Sequence, residues 1–116
     1  MKTDKLTLTL LFDFYGDLLT QKQRDCFDLH YNQDYSLFEI AEMMGISRQG
    51  VHDAVSRAET QLLRMEEAAH CLQNVQRNAR IAAALEAIAE RLPRLDPADL
   101  PETAAAISAA ARELKE

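Results

Sequence analysis

Ser47, Arg48, Gln49, His52 and Arg57 fall close together in the chain and carry side chains of the kinds that recognise nucleic acid. A guanidinium such as that of Arg48 can donate two parallel hydrogen bonds to the major-groove edge of guanine. An amide such as that of Gln49 can pair with the edge of adenine, and Ser47 or Arg57 can hold a phosphate. Asp53 works against this set, because a carboxylate near a groove repels phosphate; it can instead accept from a cytosine amino group or neutralise Arg57 one turn along. The recognition surface is therefore only weakly cationic. Other chemistries lack their parts. Glu66–Glu67 and the pair Asp25 and Asp28 read as solvated faces, with no Ser/His/Asp set or glycine-rich phosphate loop beside them, so no enzyme is expected. His52 has no second ligand four residues on, and His30 and His70 are distant in sequence, so no metal or other cofactor is expected.

Presenting those five side chains requires a helix whose first turns face outward, and the residues before it supply one. Ser36-Leu37-Phe38-Glu39 has the form of a capping box, opening a short helix with Leu37, Ile40, Ala41 and Met44 on one side. Gly45 closes that helix, because glycine adopts the left-handed conformation without a Cβ penalty, and Ser47 caps the next one at once. Counted from Leu37 as position one, Ala41 takes position five, Gly45 position nine and Val51 position fifteen, which is helix-turn-helix spacing. Ala41 must be small where the second helix crosses, Gly45 must turn the chain, and Ile40, Ile46 and Val51 seal the angle. The second helix of such a pair puts its N-terminal half in the major groove of a duplex.

On either side lie further helices. Leu8, Leu11, Phe12, Tyr15, Leu18 and Leu19 form one apolar stripe that Gly16 ends or loosens. A second capping box, Thr20 with Gln23, starts a helix expected to run to about Tyr31, burying Cys26, Phe27, Leu29 and His30 or Tyr31. After Ser47, the stripe Val51, Val55, Ala58, Leu62 and Met65 belongs to a helix whose periodicity continues far beyond usual helix lengths, so a break is expected between Cys71 and Asn74. Ile81, Leu85, Ile88, Leu92 and Leu95 then make one seam, and Leu100, Ala104, Ile107, Ala111 and Leu114 another, separated by a turn from Pro93 to Pro101. The two seams pair either as an antiparallel hairpin within one chain or between two chains. The aromatic side chains Phe12, Phe14, Tyr15, Phe27, Tyr31, Tyr35 and Phe38 have spacing that fits core packing rather than a base-stacking platform.

Composition agrees with an all-α protein. The chain has 116 residues, 47% apolar and 28% charged, with three Gly, three Pro and no Trp, which leaves little material for hairpins. A formal charge of −6 argues against indiscriminate polyanion binding, so any nucleic-acid contact must be local. Cys26 and Cys71, far apart and outside any Cys-x-x-Cys, read as reduced thiols of a cytoplasmic protein. The stretch Leu6 to Phe12 is too short for a membrane span and no cleavage site follows it, so neither export nor membrane insertion is expected.

LTQKQRDCFDLHYNQDYSLFEIAEMMGISRQGVHDAVSRAE, part of a match from Leu19 to about Met65, resembles region 4 of sigma factors, in which a Leu-rich helix precedes an E-I-A-x-x-x-G-I-S turn. FDFYGDLLTQKQRD, DYSLFEIAE and SRQGVHDAV resemble more closely the YlxM family of signal-recognition-particle-associated helix-turn-helix proteins. Where sigma region 4 commonly carries Lys or Arg, this chain has His52 and Ala54. The sigma resemblance implies that Ser47, Arg48, Gln49, His52 and Arg57 face the groove. The YlxM resemblance implies a small cytoplasmic regulatory protein of the pathway served by the signal recognition particle GTPase and its receptor. The expected organisation is a sigma-region-4-like helix-turn-helix domain at 1–70 and an Ala-rich helical hairpin or extension at 71–116 for packing or dimerisation. The expected partners are nucleic acid (DNA or RNA), components of the signal recognition particle and a second copy of the chain. Alternatively, the scaffold is an adaptor that binds the targeting GTPase or its RNA complex without binding DNA.

Overall fold

The computed structural model describes residues 3–115, and among these every regular element is helical. Helix α1 spans Lys5–Tyr15, capped by Asp4, whose carboxylate accepts from the Thr7 amide at 2.7 Å. It ends at Gly16, where a Cβ would lie 3.1 Å from the Phe12 ring, so a larger residue would press on that ring. Helix α2, Gln21–Phe27, begins at the expected capping box: Thr20 Oγ1 accepts from the Gln23 amide and Gln23 Oε1 accepts from the Thr20 amide, each at 3.2 Å. Helices α3, Leu37–Met44, and α4, Arg48–Ala69, follow, then α5, Cys71–Arg91, and α6, Leu100–Lys115, with two short 3₁₀ turns between the last two.

The α-helical part of α2 is shorter than its apolar pattern suggests. After Phe27 the chain widens into a π-helical turn, Asp28–Asn32, and then leaves through Asp34 at φ 59°. Asp28 collects the freed polar groups: its carboxylate accepts from Asn32 Nδ2 and Gln33 Nε2, both at 2.8 Å. The Tyr31 ring stacks on Phe27 at 4.5 Å, and Phe27 stacks on Phe12 at 4.7 Å. Leu29, His30 and Tyr31 end half-buried, whereas Cys26 and Phe27 are fully enclosed.

Helix α4 is the central strut, packed against α1, α2 and α3. Its stripe of Val51, Ala54, Val55, Ala58 and Leu62 is buried, and Met65 is partly so. One apolar cluster joins Leu8, Leu11 and Tyr15 of α1 to Phe27, Ala58 and Leu62; the other joins Cys26, Ile40 and Ala41 to Val51, Ala54 and Val55. Each fully buried large side chain, such as Leu11, Phe27 or Leu62, contributes about 1.5–3 kcal/mol of transfer free energy. Two of the aromatic residues expected in the core are not there: Phe14 is 42% and Phe38 61% exposed, because each faces away from the side of its helix that meets α4.

The chain divides into two compact units, one ending at Leu72 and the other starting at Gln73. The break that ends α4 lies at His70, just before the expected Cys71–Asn74 window. His70 takes the left-handed conformation (φ 57°, ψ 26°) and its amide donates to the Glu66 carbonyl at 2.7 Å. A break there is stabilised by groups outside the local sequence pattern. Tyr15 Oη accepts from the Cys71 amide at 3.1 Å, and Glu66 Oε1 accepts from the Leu72 amide at 3.0 Å, so both leading donors of α5 are satisfied. In the second unit, Ile81 and Ile88 are buried as the seam pattern requires, but Leu92 is 49% exposed and α6 buries no residue at all. Leu100, Ile107 and Leu114 remain half-exposed, so the α6 seam is not closed within the single chain. Among the described residues no helix is long and apolar enough to cross a membrane.

Candidate nucleic-acid interface

The site is built from the turn outward. Ser36 Oγ accepts from the Glu39 amide at 3.1 Å while Glu39 Oε1 accepts from the Ser36 amide at 3.0 Å, which fixes the start of α3. Those hydrogen bonds, the backbone one first, hold the Glu39 carboxyl below the ordinary glutamate range. At the other end Gly45 adopts φ 67° and ψ 33°, and the amides of Gly45 and Ile46 both return to the Ala41 carbonyl. Ser47 then caps α4, its Oγ accepting from the Gly50 amide at 3.0 Å. A Cβ at Gly50 would stand 3.2 Å from that Oγ, so the glycine keeps room for the cap.

Burial of Ile40, Ala41, Val51 and Ala54 locks the angle between α3 and α4 and leaves the opposite side of α4 open. Ser47, Arg48, Gln49, His52 and Arg57 are all exposed there. At 100° per residue, Gln49 and Asp53 point directly away from the buried stripe. Arg48 and Arg57, nine positions apart, fall on opposite flanks. Arg48, Gln49 and His52 border one shallow recess together with Leu37; Arg57 lies outside it. The five residues therefore form a ridge with two flanks, as a helix seated between the two phosphate walls of a groove requires.

Asp53 is engaged differently from the sequence expectation. It accepts from Gln49 Nε2 at 3.0 Å and lies 3.7 Å from His52 Nδ1, and among the described residues it makes no ion pair with Arg57. Gln49 and Arg57 stand four residues to either side of Asp53, equally placed to reach it, and the carboxylate is taken by the Gln49 amide. The Gln49 Nε2 group is thus occupied by Asp53, and the Arg57 guanidinium makes no ion pair among the described residues. The sequence reading missed Lys22, Gln23 and Arg64, which border the same open surface as Arg57. Arg64, seven residues past Arg57, was legible from helical spacing; Lys22 is placed only by the packing of α2 on α4. No group of three or more metal-ligating side chains is gathered among the described residues.

Comparison with known proteins agrees with this geometry. The model of a family described as "Putative helix-turn-helix protein, YlxM / p13 like" (UPF0122) matches residues 2–95. A UPF0122 protein of Thermoanaerobacter sp. strain X514 is 44% identical over 117 aligned positions, covering 100% of this chain and 97% of that protein. One from Caldanaerobacter subterraneus is 58% identical over 67 residues, covering 58% of this chain and 57% of that protein. One from Symbiobacterium thermophilum is 40% identical over 93 residues, covering 80% and 84%. With a turn joining α3 to α4 and a family match that covers the first helical unit and extends into the second, the chain belongs to the YlxM / p13-like helix-turn-helix family, UPF0122.

Proposed function

We propose that this protein is a regulatory helix-turn-helix protein that binds nucleic acid through the exposed N-terminal half of α4. The observation that carries the reading is the combination of a closed turn at Gly45–Ser47 with an open ridge at Ser47, Arg48, Gln49 and His52 and a cation on the far flank, Arg57, that makes no ion pair among the described residues. Recognition by such a helix needs base-reading groups at its leading end and phosphate-holding groups beside it, and both are present. In this reading the cellular setting is the cytoplasmic pathway of the signal recognition particle, which rests on the resemblance to YlxM proteins. Two copies act together, because one weakly basic helix supplies little affinity and the half-exposed stripe Leu100, Ile107 and Leu114 offers apolar surface for a second copy.

The formal charge of −6 and the carboxylate of Asp53 in the ridge favour a second reading, the adaptor that binds the targeting GTPase or its RNA complex. Binding of labelled duplex DNA, structured RNA and the purified GTPase, each across a salt series, separates the two. The first reading expects a nucleic-acid affinity that falls steeply as salt rises. Retention of the GTPase with no nucleic acid bound at low salt would replace it with the second.

A further inference from the structure

Lys22 of α2 and Arg57 of α4 face one open groove, whose other lining includes Thr20, Gln23 and Gly50. An adjoining depression shares Gln23 and Arg57 and extends the surface to Arg64 past Ser56, Thr60 and Gln61. We infer that this continuous groove is a binding track for the phosphodiester backbone of a nucleic-acid duplex, with Lys22, Arg57 and Arg64 as its phosphate contacts. The inference rests on the proposed reading of α4 as a nucleic-acid-binding helix and adds to it residues from a second helix and a second flank.

Three observations carry it. First, acidic residues outnumber cations in this chain, 19 to 13, yet none of the three cations forms an ion pair among the described residues. Lys5 and Arg24 are paired with Asp34 and Asp17, and most other cations of the chain are likewise without an ion pair among the described residues, so it is the gathering of these three on one surface that sets them apart. Three cations gathered on one surface of a net-negative molecule make a local positive patch that an external anion would satisfy. Second, the rest of the lining is neutral, hydroxyls and amides with Gly50 and Ala54, apart from the carboxylate of Asp53, which already accepts from Gln49. Third, Arg57 and Arg64 lie two helical turns apart on one flank, about 10 Å along the axis, a spacing that suits successive phosphates of a backbone. A polymeric anion with repeated phosphates can engage both at once, and the phosphate competition below separates it from a small phosphate ligand. With Arg48 on the opposite flank, the helix carries at least one cation on each side of its ridge, as a helix between two backbone walls requires.

The test is the salt dependence of binding by the full-length chain, using labelled duplex DNA and duplex RNA of the same sequence in parallel arms, with free inorganic phosphate as competitor. Arg57→Gln/Arg64→Gln and Lys22→Gln/Arg57→Gln/Arg64→Gln are compared with the unchanged protein, and Arg57→Lys/Arg64→Lys restores charge. All these positions are at the surface, and thermal unfolding confirms that each variant folds. Expected is a plot of log affinity against log salt that becomes shallower by about 2 in the double and about 3 in the triple variant. The loss should be alike for all sequences, substantially reversed in the lysine variant, and unaffected by millimolar phosphate. The arm in which these changes occur identifies the duplex. If the unchanged protein binds but the slopes of the Gln variants equal its own, the track is wrong while the reading of α4 stands. If the unchanged protein binds neither duplex at low salt, both fall.

Discussion

Tyr15 Oη donates a 2.7 Å hydrogen bond to Glu66 Oε1, joining the end of α1 to the last turns of α4 across 51 positions of sequence. The same hydroxyl accepts from the Cys71 amide and the same carboxylate oxygen accepts from the Leu72 amide, so this pair caps α5. Burial first, and then the Cys71 and Glu66 side chains, push the Tyr15 hydroxyl well above the ordinary tyrosine range, against the lowering effect of the Cys71 amide.

Replacing Tyr15 with Phe keeps the ring in the α1 cluster but leaves the Cys71 amide without this acceptor. A loss of about 1–3 kcal/mol in unfolding free energy is expected, measured by chemical denaturation. Tyr15→Leu should cost more, since it also removes ring packing.

Tyr31 is held up in the same way, by burial first and then by its hydrogen bond to Glu59. For both tyrosines the folded protein favours the protonated form. Their stabilisation is therefore complete below the ordinary tyrosine value of about 10 and is lost as pH rises from there toward the folded values. Denaturation curves above pH 10 should show falling stability, and the fall should be smaller in the Tyr15→Phe/Tyr31→Phe double variant.

At the capping box the sign is opposite. Because the Glu39 carboxyl lies below its ordinary range in the folded protein, its contribution is present above that range and is lost as pH falls through the depressed folded value. Glu39→Gln keeps an acceptor for the Ser36 amide and should flatten this acid limb. Ser36→Ala, which removes the cap, should cost about 1 kcal/mol at neutral pH.

The turn itself has a conformational requirement. Nothing lies within 4 Å of a Cβ built on Gly45, so substitution there is opposed by backbone conformation and not by crowding. Gly45→Ala should destabilise by about 1–2 kcal/mol and Gly45→Asn by less, as thermal unfolding would show.

On the ridge, Arg48→Ala should weaken binding to the preferred sequence by about 1–3 kcal/mol and reduce discrimination between sequences, if Arg48 makes a bidentate base contact. Asp53→Asn should raise affinity, since it removes negative charge while leaving an acceptor for Gln49. Competition binding with sequence variants reads both effects.

Much of the fold was legible because its signals are local. Both capping boxes, the glycine turn and the α4 stripe depend on residues within one or two helical turns of each other, and each forms as the spacing requires. The misses come from longer-range effects. The π-helical turn after Phe27 accompanies a stack of Phe12, Phe27 and Tyr31, whose first member lies in another helix. The break at His70 is fixed by Tyr15, far back in the chain. Phe38 reads as core by spacing alone, but only three-dimensional packing decides which side of a short helix meets α4. In the candidate site, Arg48, Gln49 and His52 were found by their place after the turn. Lys22 was not, because no sequence interval connects it to Arg57.

The most direct measurement is an NMR titration of the isotopically labelled chain with duplex DNA and duplex RNA at low salt. The expected result is progressive change in the amide signals of Ser47, Arg48, Gln49 and His52, reversed by added salt. Binding that leaves these signals unchanged and moves those of the α1 or α6 surfaces instead would contradict recognition through α4, as would the absence of any change with either duplex.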